Sequence, residues 1–224
     1  MVEIPTTRIC LVRHGETEWN TERRIQGHID IGLNQTGLRQ AALAGRWLRD
    51  AGIAAIYGSD LTRAWVTAQT IAAALGLSPV VVPEMRERCY GIFEGLTYAE
   101  AKARYPEAYV AFEARNVDYA YESGESLSDL FARVTGKLKE IAAAHPGQNV
   151  VVVSHGGVLD IVNRFVRGNP LETPRDFLIP NAGINWIAAP QGDFLQGAVD
   201  GRWTLETWGD TTHLEAGALD ELPS

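Results

Sequence analysis

The chain has 224 residues, 46% hydrophobic and 21% charged, with 28 acidic against 20 basic side chains and a formal net charge of −8. That length suits one full-sized domain, and the composition excludes collagen, coiled coil and disorder. The acidic balance argues against nucleic-acid and anionic-membrane partners, and no apolar stretch approaches the ~18 residues of a membrane span. The N-terminus carries Glu3 ahead of any hydrophobic run and has no leader pattern, so a soluble, cytoplasmic chain is expected. Two cysteines, Cys10 and Cys89, make neither a disulfide framework nor a C-x-x-C site. The acidity is uneven. Residues 1–63 hold eight arginines against seven acids, 64–175 eleven bases against thirteen acids, and 176–224 only Arg202 against eight acids. Seventeen of the 20 cations are arginine, whose planar fork matches phosphate and carboxylate oxygens.

In chain order, Arg8–Val12 predicts a buried strand that opens at Arg13-His14-Gly15. Thr36 as N-cap and Gly52 as stop bracket a helix with Leu38, Ala42, Leu43 and Trp47 at helical spacing. Ala54–Tyr57 predicts a second strand, followed by a helix over 61–75 that Gly76 closes. Val80–Val82 predicts a third strand and 84–95 a loop. Residues 98–122 read as helical pieces broken at Pro106, and Tyr105, Tyr109, Phe112 and Tyr119 read as core or lid packing. Ser126 and Asp129 form a capping box for a helix to about Ala144. The four valines 150–153 predict a strand covered on both faces. It ends at Ser154-His155-Gly156-Gly157, and a helix follows over 158–166. Gly183–Ala189 and Trp203–Trp208 predict an antiparallel hairpin. The alternation means an α/β domain with a mostly parallel sheet, treated as a single domain over 1–224. A helical insertion near 96–122 covers one edge, and an acidic tail begins near 209. Trp186 and residues 203–208 are a candidate homodimer interface, with core packing as the alternative.

Ligands of open α/β sheets bind beyond the carboxyl ends of the strands. There the pattern gathers Arg13, His14, Arg63, Glu87 and His155. A phosphomonoester dianion needs cations and N–H donors around its oxygens and a nucleophile in line with the leaving oxygen. Neutral imidazole is such a nucleophile, and arginines beside it disfavour the imidazolium. Glu87, between Arg86 and Arg88, is the candidate general acid. Gly156, at a helix start, offers a backbone N–H to the anion. Each residue also has a plain reading: a hydrogen-bonded structural histidine, a solvated arginine, one more loop charge. Their joint occurrence favours phosphoryl transfer. No clustered His or Cys spacing predicts a metal site, and His28-x-Asp30 is too little for one. Neither G-x-G-x-x-G nor a P-loop occurs.

Residues 11–20, Leu-Val-Arg-His-Gly-Glu-Thr-Glu-Trp-Asn, resemble the signature of the histidine phosphatase superfamily, which contains the cofactor-dependent phosphoglycerate mutases and many small phosphatases. The resemblance continues through 24–27, 30–34, 59–64, 87–95, 154–157 and 210–214. It implies a phosphoglycerate mutase-like, three-layer α/β/α sandwich whose helical insertion covers the active site. It also implies His14 as the phosphorylated nucleophile and Glu87 as proton donor, with Arg13, Arg63 and His155 as the phosphate pocket. Asn20 and Gln26, the latter with its neighbour Gly27, match positions that bind phosphate.

The mutase branch carries a longer insertion with a Trp-Arg-Arg run. Here Arg115-Asn116 is the nearest counterpart, and Gln26 stands where mutases have a small hydroxyl residue. A phosphatase acting on a small phosphomonoester is therefore the expectation, without metal or cofactor. The alternatives are a phosphoglycerate mutase needing 2,3-bisphosphoglycerate as primer and a non-catalytic phospho-ligand binder. Arg88, Tyr90, Arg104 and Arg115 are the candidate specificity groups in the cover.

Overall fold

The computed structural model describes residues 6–193, 198–200 and 202–215 of the chain. In chain order the elements are β1 (Arg8–Arg13), α1 (Glu18–Thr21), α2 (Gln35–Trp47), β2 (Ile53–Gly58), α3 (Thr62–Leu75), β3 (Val80–Val81), α4 (Tyr98–Arg104), α5 (Pro106–Glu113), α6 (Leu127–Ala144), β4 (Asn149–Ser154), α7 (Gly156–Arg167), β5 (Ile184–Ala188), β6 (Gln191–Asp193), β7 (Ala198–Asp200) and β8 (Thr204–Asp210). One sheet runs β3-β2-β4-β1-β5-β8. The β2–β3, β2–β4 and β1–β4 pairs are parallel, while β5 runs against both β1 and β8. The mostly parallel sheet is thus present, with one reversed strand.

Period-two alternation sends neighbouring residues of each central strand to opposite layers. Ile9, Leu11, Val150 and Val152 pack on α6 and α7. Cys10, Val12, Val151 and Val153 pack on α2 and α3. All eight are fully buried, as a valine run covered on both faces requires, and the three layers follow. Cys10 in this core keeps its thiol protonated, since burial pushes the group up.

The helix over 35–47 departs from expectation in two ways. Its N-cap is Asn34, whose side chain accepts from Gly37 N–H, and not Thr36; Gly52 lies beyond the helix end in the turn before β2. Its buried face is Gly37, Ala41, Ala44 and Gly45, while Leu38 and Trp47 are 39% and 49% exposed. Small residues are needed there because α3 crosses closely: a Cβ on Gly45 would stand 2.9 Å from the Ala74 Cβ. Leu38 and Trp47 were therefore the wrong marks of the inward stripe.

Strand β3 is shorter than Val80–Val82. Val82 turns inward and leads into a 3-10 turn at Pro83–Met85. The last long strands pair antiparallel as expected, Trp186 opposite Thr207, but a separate ladder of β6 with β7 stands between them in the chain. The centre of that connection, and the tail beyond residue 215, lie outside the described residues.

The insertion has its own small core. Phe93 sits among Tyr105, Tyr109, Phe112 and Tyr121, with ring centroids 4.8–6.2 Å away. Tyr105, Tyr109 and Phe112 pack as read, whereas Tyr119 is 37% exposed and meets the cluster at the Tyr121 ring. Trp186 stacks under Arg8, while Trp203 and Trp208 pack on the α6–α7 layer.

Candidate active site

β1 and β4 are register neighbours with Arg13 opposite Ser154, so the residues that follow them, His14 and His155, emerge side by side. Their ring centroids are 5.2 Å apart and both rings are buried. His14 Nδ1 lies 2.7 Å from the Gly15 carbonyl. A carbonyl only accepts, so Nδ1 carries the proton and Nε2 keeps its lone pair. Burial, then the charges of Arg63 and Arg13, hold the His14 pKa well below the ordinary histidine value. The ring is therefore a neutral base near pH 7. Burial comes first among these causes, ahead of the arginines that sequence reasoning emphasised.

The backbone around His14 is clamped. Asn181 Nδ2 donates to the His14 carbonyl at 2.9 Å, the Ala182 N–H to the Arg13 carbonyl at 3.0 Å, and the Gly15 N–H to Thr67 Oγ1 at 3.1 Å. Ala182 adopts a positive φ of 54° to do so, a conformation costing an L-residue roughly 1–2 kcal/mol. His155 is set by Ser59 at the end of β2, with Nε2 and Oγ 2.8 Å apart.

Arg63 opens α3 and is fully buried, its Nη2 donating to the Gly27 carbonyl at 2.7 Å and its Nη1 to the Ile29 carbonyl at 3.0 Å. Gly27 holds φ +53°, and a Cβ there would stand 2.1 Å from Glu94 Oε1, so glycine is required for this carbonyl to face Arg63. Arg13 is anchored through Nη1 to the Ile179 carbonyl at 2.7 Å. The Nε atoms of both arginines and His155 Nδ1 are buried with no hydrogen-bond partner among the described residues. An unpaired buried donor costs about 1–3 kcal/mol, and an anion bound to the two arginine Nε–H groups recovers that cost.

Glu87 is held differently from what its neighbours in the chain suggest. Arg86 is spent on Asp60, with contacts of 2.7 and 2.5 Å. The Arg88 guanidinium donates to the Glu125 carbonyl at 2.8 Å and stacks on Tyr121. The partners of the Glu87 carboxylate are the Arg88 backbone N–H at 2.8 Å and the Gly157 N–H at 3.0 and 3.1 Å. The Gly157 amide in the first turn of α7, where an anion gains from the helix dipole, thus already binds a carboxylate. A Cβ on Gly157 would lie 2.3 Å from Glu87 Oε1.

These groups open into one cavity of about 610 Å³ lined by Arg13, His14, Arg63 and Glu87 and also by Asn20, Gln26, Gly27, Gly156, Arg88 and Tyr90. His155, fully buried, is not among the residues that line it. Asn20 Oδ1 is occupied by the Thr17 N–H at 3.0 Å and by Asn181 at 3.3 Å, and its amide hydrogens are unspent among the described residues. Gln26 Oε1 is buried without a partner among the described residues. Burial and the nearby Glu87 raise the Tyr90 pKa well above the ordinary phenol value, so it stays a hydroxyl. Arg104, offered as a specificity group, does not line the cavity, whereas Arg115 does. Sequence reasoning gave no role to Ser59 or Tyr98 and missed Thr67, Asn181 and Arg175. Only Ser59, directly after β2, carried a positional signal. Among the described residues there is no group of three or more His, Cys, Asp or Glu that could hold a metal ion, and no helix long and apolar enough to cross a membrane.

A family model described as histidine phosphatase superfamily (branch 1) matches residues 9–211. A phosphoglycerate mutase-like protein 4 of Arabidopsis thaliana is 40% identical over 216 residues, covering 95% of this chain and 89% of that protein. A metal-independent phosphoserine phosphatase of the same plant is 38% identical over 218 residues, covering 96% and 86%. A mycobacterial glucosyl-3-phosphoglycerate phosphatase superposes with a TM-score of 0.80 at 30% identity, covering 91% of this chain and 99% of the other. The chain therefore belongs to the histidine phosphatase superfamily and is an enzyme of its metal-independent phosphatase type.

Proposed function

We propose that the protein hydrolyses a small phosphorylated metabolite through a phosphohistidine at His14, with Glu87 as general acid and then base. The observation that carries this reading is the tautomer of His14: Nδ1 donates to the Gly15 carbonyl, which leaves Nε2 as a neutral nucleophile beside two arginines. In the first step Nε2 bonds to phosphorus as the ester P–O bond breaks, and Glu87 gives its proton to the leaving alkoxide oxygen. Arg13, Arg63 and the Asn20 and Gln26 amides, which line the cavity, hold the equatorial oxygens, and His155 packs beside the His14 ring. In the second step Glu87 takes a proton from water, whose oxygen attacks phosphorus as the N–P bond breaks. Inorganic phosphate and free His14 result.

The arginines supply the electrostatic stabilisation that a metal gives elsewhere, so neither metal nor cofactor is needed. The partner is the small phosphomonoester, with no nucleic acid and no membrane surface. Product analysis tests the reading: released inorganic phosphate should equal ester consumed, and 2,3-bisphosphoglycerate should not be required. Interconversion of phosphoglycerates dependent on that primer, without phosphate release, would replace hydrolysis by a mutase reaction.

A further inference from the structure

His28, too little to make a metal site with Asp30, has contacts that the reaction steps leave without a role. It follows Gly27, whose carbonyl faces Arg63, and it is fixed at two points. The His28 N–H donates to Glu94 Oε1 at 3.0 Å, and the ring Nε2 lies 2.8 Å from the Glu87 carbonyl. A carbonyl only accepts, so Nε2 carries the proton. Glu94 Oε1 also accepts from the Tyr90 N–H at 2.8 Å. The chain at 26–29 brings Gln26 to the cavity and takes the Arg63 guanidinium on two carbonyls. It is thus laced to the chain at 87–94, which carries the proton donor.

The approach to Glu87 has a support of its own. Arg133 of α6, gripped by the Glu125 carboxylate at 2.9 and 2.7 Å, donates through Nη1 to the Glu84 and Arg86 carbonyls at 2.7 and 3.0 Å. It reaches the Glu87 carbonyl only at 3.5 Å, so the short contact on that carbonyl is the one from His28. Residues 84–86 are therefore held without His28, and what His28 adds is local to Glu87.

That addition matters because Glu87 has to change its protonation state. Its carboxylate is bound by the Arg88 and Gly157 N–H groups, and such bonds are stronger to an ionised acceptor than to a neutral one. They loosen when Glu87 holds the proton that it must deliver. The His28 contact falls on the backbone carbonyl and does not depend on that proton.

We propose that His28 is a positioning residue for the general acid: its Nε2–H ties the Glu87 backbone to the chain that holds the phosphate, and keeps the protonated carboxyl within reach of the leaving oxygen. The inference rests on the hydrolase reading for the role of Glu87. The effect is greatest where the leaving group departs poorly, since only then does the rate depend on the acid.

Phenyl phosphate and p-nitrophenyl phosphate test this, because they share a frame while phenolate needs a proton to leave and p-nitrophenolate does not. In His28→Leu, which removes the donor, kcat/KM for phenyl phosphate should fall about tenfold, the value of one hydrogen bond, and that for p-nitrophenyl phosphate should stay near the wild type. His28→Gln, whose side-chain N–H can stand where the Nε2–H does, should restore most of the loss. In a Glu87→Gln background His28→Leu should cost nothing further, because residues that act through one group are not additive. A general loosening of the fold would lower both esters alike and add to the loss from Glu87→Gln. Hydrogen exchange at the Gly157 amide, whose partner is the Glu87 carboxylate, reads the placement of Glu87 without turnover. It should quicken in His28→Leu and stay normal in His28→Gln. Equal losses on the two esters, additive losses in the double variant, or unchanged exchange at Gly157 overturns the positioning role. Faster exchange in His28→Leu, when the wild-type protein releases phosphate from neither ester, upholds the hold of His28 on Glu87 and refutes the hydrolase reading.

Discussion

Replacing Gly157 by alanine should separate the two chemical steps without unfolding the protein. The new Cβ would stand 2.3 Å from Glu87 Oε1, where ordinary contact begins at 3.4 Å, so the carboxylate has to move by roughly 1 Å. The clashing atom is the end of a flexible side chain, and the cost falls on the placement of Glu87 rather than on the core. Moving it breaks the bonds to the Gly157 N–H, and a 1 Å misplacement of a reacting group costs about 10²-fold in rate, or about 2.7 kcal/mol of barrier. An alkyl phosphate needs its leaving oxygen protonated, whereas p-nitrophenolate departs without help. Rapid mixing of Gly157→Ala with p-nitrophenyl phosphate should show a near-normal burst of nitrophenolate, because His14 is untouched. Turnover of glycerol 3-phosphate should fall about a hundredfold, and the denaturant midpoint should stay near that of the wild type. Normal alkyl turnover, or equal loss of burst and turnover in a folded protein, would refute the role assigned to Glu87.

The buried histidines make a pH prediction. His14, His155 and His213 all have pKa values lowered chiefly by burial, while in the unfolded chain they protonate below about pH 6.5. The unfolded state then binds more protons, so stability is full above that pH. It falls as pH drops below it, by up to about 1.4 kcal/mol per unit for each histidine, until the folded-state pKa is reached. Urea titrations at pH 7.5 and 5.5 would show it, and equal stabilities would contradict it. Asp160→Ala strips the partner from fully buried Arg164 and should cost about 3–5 kcal/mol in the same titration; a loss below 1 kcal/mol would mean that the pair is not what holds the 160–175 region. Finally, EDTA should leave activity intact. Inactivation reversed by a divalent ion would show that the arginines do not suffice.

The strands and the chemistry at their ends were legible because both rest on strong local signals. Val150–Val153 can only be a strand buried on two faces, and histidine after arginine at one strand end, with histidine before glycines at the next, is a dense constellation. The inward face of the helix over 35–47 was not legible, because close packing there selects Gly37, Ala41, Ala44 and Gly45, which hydropathy does not mark. The partners of Glu87 escaped for a related reason. Its nearest charges in sequence turn away to Asp60 and Glu125, and its actual partners are two backbone N–H groups, one of them from residue 157, which no side-chain pattern announces. Asn181 clamps His14 from 167 positions away, and nothing around it in the chain distinguishes it from any loop asparagine. Arg175 sits in a loop with Glu172 and Asp176 and reads as surface charge. Only the fold reveals that it faces the same cavity as His14.

The central claim is that His14 Nε2 carries the phosphoryl group, and isolation of the phosphoenzyme tests it most directly. Acid-sensitive, base-stable phosphate should be trapped by rapid alkaline quenching during turnover and localised by peptide mass spectrometry to His14, and His14→Ala should show neither label nor turnover. Label on another residue, or full turnover by His14→Ala, would contradict the account.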